Sequence, residues 1–196
     1  FAIVLFAGLI VHGLFAEVLN RAPQLVLSNA NYVKKVVFPL EILPAVTLVV
    51  ACFHALISVL VLLGGQLLVK GSIPATVLLL PLVAIPFLLL TLGLAWFLAS
   101  LGVFVRDMGQ IIVFLTTVLL FLSPVFFPLK ALPKSVQPWV ELNPLTPVIE
   151  QVRAVLVWGV MPDFQVLGIL FVVSLLVAWG GYAWFQNTRK CFADVL

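Results

Sequence analysis

Charged side chains are missing from four long stretches of this chain. No Asp, Glu, Lys or Arg occurs between Glu41 and Lys70, Lys70 and Arg106, Asp107 and Lys130, or Asp163 and Arg189. Each gap exceeds the roughly 20 residues with which a helix crosses about 30 Å of hydrocarbon. A transmembrane β-barrel shows alternating segments of about 10 residues instead, so continuous Leu, Val, Ile and Phe runs of this length are helical spans. Apolar residues make up 64% of the chain and charged residues 9%, with a mean hydropathy of +1.32. That leaves too few charged groups to cover a water-facing surface. The expected fold is all-α and polytopic, a single transmembrane domain over 1–196.

Five spans are predicted, over about 1–27, 40–63, 75–103, 109–128 and 164–187. The sequence opens at Phe1 inside an apolar run with no Met and no basic flank. It therefore reads as the continuation of an upstream segment rather than as a signal peptide. One set of connections holds Lys34, Lys35, Arg106, Arg189 and Lys190, and the other holds Lys70, Lys130, Lys134 and Arg153. The first set is concentrated in shorter segments, which by the positive-inside rule makes it cytoplasmic. The net charge of +3 is too small to suggest a nucleic-acid partner. Cys52 lies in a span and Cys191 in the tail, so no disulfide framework is expected, and no metal-ligand spacing occurs.

Several residues interrupt the apolar pattern. Pro74, Pro81 and Pro86 fall in or near the third span, as tolerated kinks or as a hinge. Glu17 and Arg21 are four apart in the first span and are expected to pair. Charges inside a membrane segment are costly, so the pair is either structural, near the cytoplasmic end, or serves gating or partner contact. His12 and His54 have no carboxylate or second His at helical spacing, and read as packed or interfacial. Segment 129–163 is too polar to span. Thr146 suits a helix cap with Pro147 first and Glu150 in the first turn, running to about Trp158 before Gly159 stops it. A shorter helix is expected around 134–142, ended by Asn143-Pro144. With Trp139 and Trp158 as anchors, the two form a re-entrant or interfacial hairpin, or a loop resting on lipid.

No phosphate-cradling Gly-rich loop, nucleophile elbow or His/Glu pair is present, so residue chemistry stops at a transporter or membrane scaffold rather than an enzyme. Five strings carry the reading further: LSNANYVKKVVFPLEILP (Leu27–Pro44), VRDMGQ (Val105–Gln110), FLSPVFFP (Phe121–Pro128), ELNPLTPVIEQVR (Glu141–Arg153) and RKCFADVL (Arg189–Leu196). In this order they resemble the permeases of type-2 ABC exporters, in particular the Wzm-like branch that exports lipid-linked O-antigen, capsular polysaccharide or teichoic acid. The family pattern has an amphipathic cytoplasmic helix and a first span before this point. Neither is in this sequence, so gating roles of that region are not carried over.

The resemblance implies a bacterial inner-membrane, multi-pass chain working as a homodimer with a separate ATPase subunit that binds ATP and Mg. No cofactor is expected here. The 29–38 connection, with Asn29, Asn31, Tyr32, Lys34, Lys35 and Phe38, corresponds to the coupling helix seated on that ATPase; Lys34 and Lys35 are otherwise topology determinants. Arg106 and Asp107 are expected as a local pair beside the same partner. Segment 129–163 corresponds to the outer gate, with Trp139, Asn143, Pro144, Glu150 and Arg153 as its candidate residues, and Glu150 and Arg153 spaced to pair. Phe87, Trp96, Phe97 and Phe104 either offer stacking surfaces to the sugars of a lipid-linked glycan or face membrane lipid. A permease of the same class for a drug, haem or antibiotic is the rival reading, and a membrane lipid-modifying enzyme the more distant one.

Overall fold

The computed structural model describes residues 1–31, 39–127, 129, 137–141 and 143–192, and all regular structure among them is helical. In chain order the helices are α1 (Ala2–Arg21), α2 (Leu25–Ser28), α3 (Ile42–Lys70), α4 (Leu80–Phe104), α5 (Met108–Leu122), α6 (Gln137–Glu141), α7 (Leu145–Arg153) and α8 (Phe164–Thr188). Short 3-10 turns lead from α1 into α2 and into α4. Four stretches are long and apolar enough to cross a membrane: Ala2–Ser28, Ile42–Lys70, Ala75–Phe104 and Phe164–Cys191.

The fourth expected span, 109–128, is shorter than its sequence suggests. α5 has 15 residues and stops at Leu122 rather than near 128, a length of about 22 Å. The reason is local. Pro124 disfavours helical geometry at the residue before it, and Ser123 is extended, with φ −91° and ψ 152°. The second span errs the other way. Gly64 and Gly65 do not end α3, which continues to Lys70 and stops at Gly71, whose φ of 71° places it in the left-handed cap position. Of the three prolines weighed as kinks, only Pro86 stands in a helix interior; Pro74 precedes a 3-10 turn and Pro81 opens α4.

α1 is the central helix. Its buried Ala7, Val11, Phe15 and Val18 belong to a core shared with α3, α4, α5, α7 and α8. α4 and α8 form the tightest pair, because small residues face each other where they cross. A Cβ on Gly93 would lie 2.6 Å from the Ala178 backbone, and one on Gly181 would strike the Gly93 carbonyl. Outward faces of α3, α5 and α8 are apolar, with Phe53, Phe114 and Trp179 largely exposed, as lipid contact requires.

Cross-contacts define two ends of the bundle. Val4, Lys70, Thr76 and Asp163 lie at the end that holds Arg153, while Ser100, Glu41, Thr188 and Arg189 lie at the other. Replacing Gly181 with Val is expected to cost about 1–3 kcal/mol or more through overpacking. Gly180→Val, on an open face with nothing within 4 Å of a Cβ, serves as the neutral control. Thermal unfolding in detergent measures both.

Candidate functional site

At one end the chain builds a seat for α7. Asn143 closes the turn before it: its amide donates to Ser123 Oγ (2.8 Å) and its carbonyl oxygen accepts from Leu145 N–H (3.0 Å). α7 therefore begins at Leu145, behind Pro144, and not at Pro147. Thr146 does not cap it. Its hydroxyl reaches back to the Val140 carbonyl at the end of α6, because Asn143 already serves the first free amide. After Arg153 the helix widens into a π-turn over Ala154–Trp158 and ends at Gly159, φ 68°. That end is held from outside: Lys70 Nζ donates to the Val157 carbonyl (2.9 Å) and Thr76 to that of Val155 (2.7 Å). Nearly all of α7 is buried, so it packs among the spans instead of lying on lipid.

Arg153 fixes this arrangement. Its side chain is fully buried, and its guanidinium donates to the Val4 carbonyl (3.1 Å), the Val125 carbonyl (2.7 Å), the Phe127 carbonyl (3.4 Å) and Glu150 Oε1 (3.0 Å). The planar, multi-donor head of Arg is what lets one side chain serve four acceptors in different directions. Gly8 makes room for it, since a Cβ there would lie 2.9 Å from Nη2. Burial pulls the Arg153 pKa down, while the charge of Glu150 and its hydrogen bond oppose that pull. The expected Glu150–Arg153 pair is therefore present, as one spoke of a larger hub. Trp139 falls within α6.

At the opposite end Glu41 collects three elements. Its carboxylate pairs with Arg189 (3.2 Å), and its carbonyl accepts from the Trp96 indole (2.9 Å). Ser100 and Thr188 hydroxyls meet at 2.6 Å. Asn29 ends α2 with its amide on the Leu25 carbonyl (2.8 Å), as a terminator should. Asn31 lies just beyond it and is exposed. Tyr32, Lys34, Lys35 and Phe38 lie outside the described residues. Arg106 and Asp107 are exposed at the turn between α4 and α5, and the ion pairs among the described residues do not join them. The expected local pair is thus not formed; the turn points both side chains into solvent.

Within the spans, Glu17 does pair with Arg21, at 3.0 Å. It also receives His54 of α3, whose Nδ1 lies 3.0 and 3.1 Å from the two carboxylate oxygens. His54 was expected to be a packed or interfacial ring; its partner comes from another helix, which spacing along one helix cannot reveal. The available signal was two ionisable groups in two different spans, each needing a counterpart. His12 is packed, with Nε2 on the Thr116 carbonyl at 2.9 Å.

The four aromatic candidates do not share one face. Phe87 is in the core, stacked near Phe15 with ring centres 6.4 Å apart, and it also walls an apolar cavity of about 210 Å³ with Val148 and Val152. Trp96 packs edge-on to Tyr182, Phe97 lies against Trp184 on the outer surface, and Phe104 against Phe192.

Comparison with known proteins places this architecture. Residues 2–157 match the family described as ABC-2 type transporter, and the chain belongs to that family. With four apolar helices long enough to cross a membrane, it is a multi-pass membrane permease subunit. The whole chain is 24% identical to an O-antigen export system permease protein RfbA of Klebsiella pneumoniae, covering 76% of that protein. It is 27% identical, over 99% of its length, to the protein of the same name from Myxococcus xanthus, covering 75% of it.

The Arg153 hub yields a stability prediction. Glu150→Leu leaves a buried cation without its counter-charge and is expected to cost about 3–5 kcal/mol. Arg153→Met combined with Glu150→Leu should cost less than the sum of the single changes. A double-mutant cycle on thermal unfolding reads that coupling.

Proposed function

We propose that this chain is the membrane half of an ATP-driven exporter that moves a lipid-linked polysaccharide of the O-antigen, capsule or teichoic-acid kind across the bacterial inner membrane. It works with a second copy of itself and with a separate ATPase subunit that holds ATP and Mg. The observation that carries this reading is the likeness along the whole chain to two relatives named as O-antigen export permeases, on top of membership of the ABC-2 family. The chain itself offers no phosphate-binding loop, so nucleotide chemistry belongs to the partner.

In this reading the Arg189 end is cytoplasmic. Residues 29–38 form the ledge on which the ATPase sits, with Asn29, Asn31, Tyr32, Lys34, Lys35 and Phe38 as its contact residues and Arg106 and Asp107 beside them. Motion of that ledge passes through the Glu41–Arg189 pair and the Trp96 bond, which tie the start of α3 to α4 and α8. The segment 129–163 is the outer gate, with Trp139, Asn143, Pro144, Glu150 and Arg153 setting its position. The Arg153 hub supports this assignment, because it joins α7 to α1 and to the segment after α5.

Co-purification with the candidate ATPase, followed by ATP-dependent uptake of lipid-linked glycan into inverted vesicles, tests the proposal. Association and uptake are expected. Failure of both overturns it, and uptake of a drug or haem in place of glycan moves the chain to another branch of the class. Replacing residues 32–38 with a Gly/Ser linker is expected to abolish ATPase association; retained association would remove the coupling assignment.

A further inference from the structure

We infer that Phe192, in the tail that follows α8, is a positioning residue for ATPase coupling: it holds the two edges of the proposed ATPase ledge against the ends of α4 and α8. The inference rests on the exporter reading above and names the contact through which movement at the ledge reaches the spans.

The apolar interior of the chain is in two parts. One surrounds α1 and takes in most of the buried side chains. The other is small and lies at the Glu41 end: Val26, Leu40, Ala99, Val103, Phe185 and Phe192, with Leu43 and Trp96 packed against it. Its membership is selective. Val26 belongs to α2, just before the ledge, and Leu40 to the turn that opens α3, just after it. Val103 is in the last turn of α4, ahead of the Arg106–Asp107 turn. Both segments assigned to the ATPase side thus issue from this one cluster.

Phe192 closes the cluster. It is 0% exposed, its ring meets Phe185 edge-on with centres 5.6 Å apart, and it lies 6.0 Å from the ring of Phe104 at the end of α4. The chain's own residues supply all of that burial, so a further subunit can add to it but not undo it.

The polar ties at this end do less. The Glu41–Arg189 pair joins the start of α3 to the tail of α8, and the Trp96 bond joins it to α4. Both hold one edge of the ledge, and neither involves α2. The apolar cluster adds the other edge, through Val26. A close-packed cluster also passes strain on in every direction, where a hydrogen bond acts along one line. With Phe192 in place, displacement of either edge moves the ends of α4 and α8 together, and those helices already meet backbone to backbone at Gly93 and Gly181. Without the ring the cluster is left with a cavity, and the edges shift while the spans stay still.

The permease–ATPase complex in membranes tests this, read as glycan taken up per ATP hydrolysed. Phe192→Ala is expected to lower that ratio severalfold, and Phe192→Leu, which refills the cluster, to recover most of it. Leu62→Ala opens a cavity in the central core instead. It is expected to lower thermal stability yet leave the ratio at the wild-type value, which separates coupling from general loss of packing. Val26→Ala, a smaller cut at the edge of the ledge, is expected to lower the ratio as well, and it decides the matter should Phe192→Ala fail to assemble. A wild-type ratio in Phe192→Ala or Val26→Ala, an equal fall in Leu62→Ala, or no recovery in Phe192→Leu overturns the inference. A wild-type complex that moves no glycan overturns the exporter reading instead.

Discussion

An ionised or hydrogen-bonding group inside hydrocarbon has no water to fall back on, so it must find its partners within the protein. This constraint organises most of what is polar here. Arg153 satisfies it by gathering three main-chain carbonyls and one carboxylate from four places in the chain. Lys70 and Thr76 satisfy it for the carbonyls of the π-turn. Glu41 does so at the opposite end, with Arg189 and the Trp96 indole. Each of these contacts also pins one element to another. In a chain so short of polar groups, pairing them amounts to specifying the fold.

Apolar packing contributes a different kind of information. Between lipid-bathed helices there is no general hydrophobic drive to associate, and close approach has to come from shape. Gly93 and Gly181 supply it for α4 and α8, and Gly102 for α4 against Pro23. The Gly93 and Gly181 contacts bring α4 and α8 to close backbone approach. The α1–α3 seam is looser, with Gly13 open and a polar groove beside it.

How far this was legible in the sequence follows from the range of the signals. Charge-free stretches located the spans, because hydrocarbon thickness acts on each segment separately. Gly159 as a stop, Asn143-Pro144 as a turn and the Glu17–Arg21 pair were readable, since all three are local. Local patterns also misled. Gly64-Gly65 looked like a turn, yet an apolar helix carries both through. Ser123-Pro124 was passed over, yet it ends α5. Thr146 had the chemistry of a cap, but Asn143 was already in place. What no local pattern holds is the pairing between helices: His54 with Glu17, Arg189 with Glu41, Arg153 with Val125.

The early end of α5 has a consequence for the order in which the protein is made. Because the helix stops at Leu122, the carbonyl of Val125 has no partner one turn further on, and its donor is a side chain 28 residues later. Until that later segment leaves the ribosome and enters the membrane, this end of α5 cannot settle. Placement of α7 thus completes the far end of α5, with α8 still to follow. A chain interrupted between the two would lack α8 as well, and would leave the Val125 carbonyl without its donor.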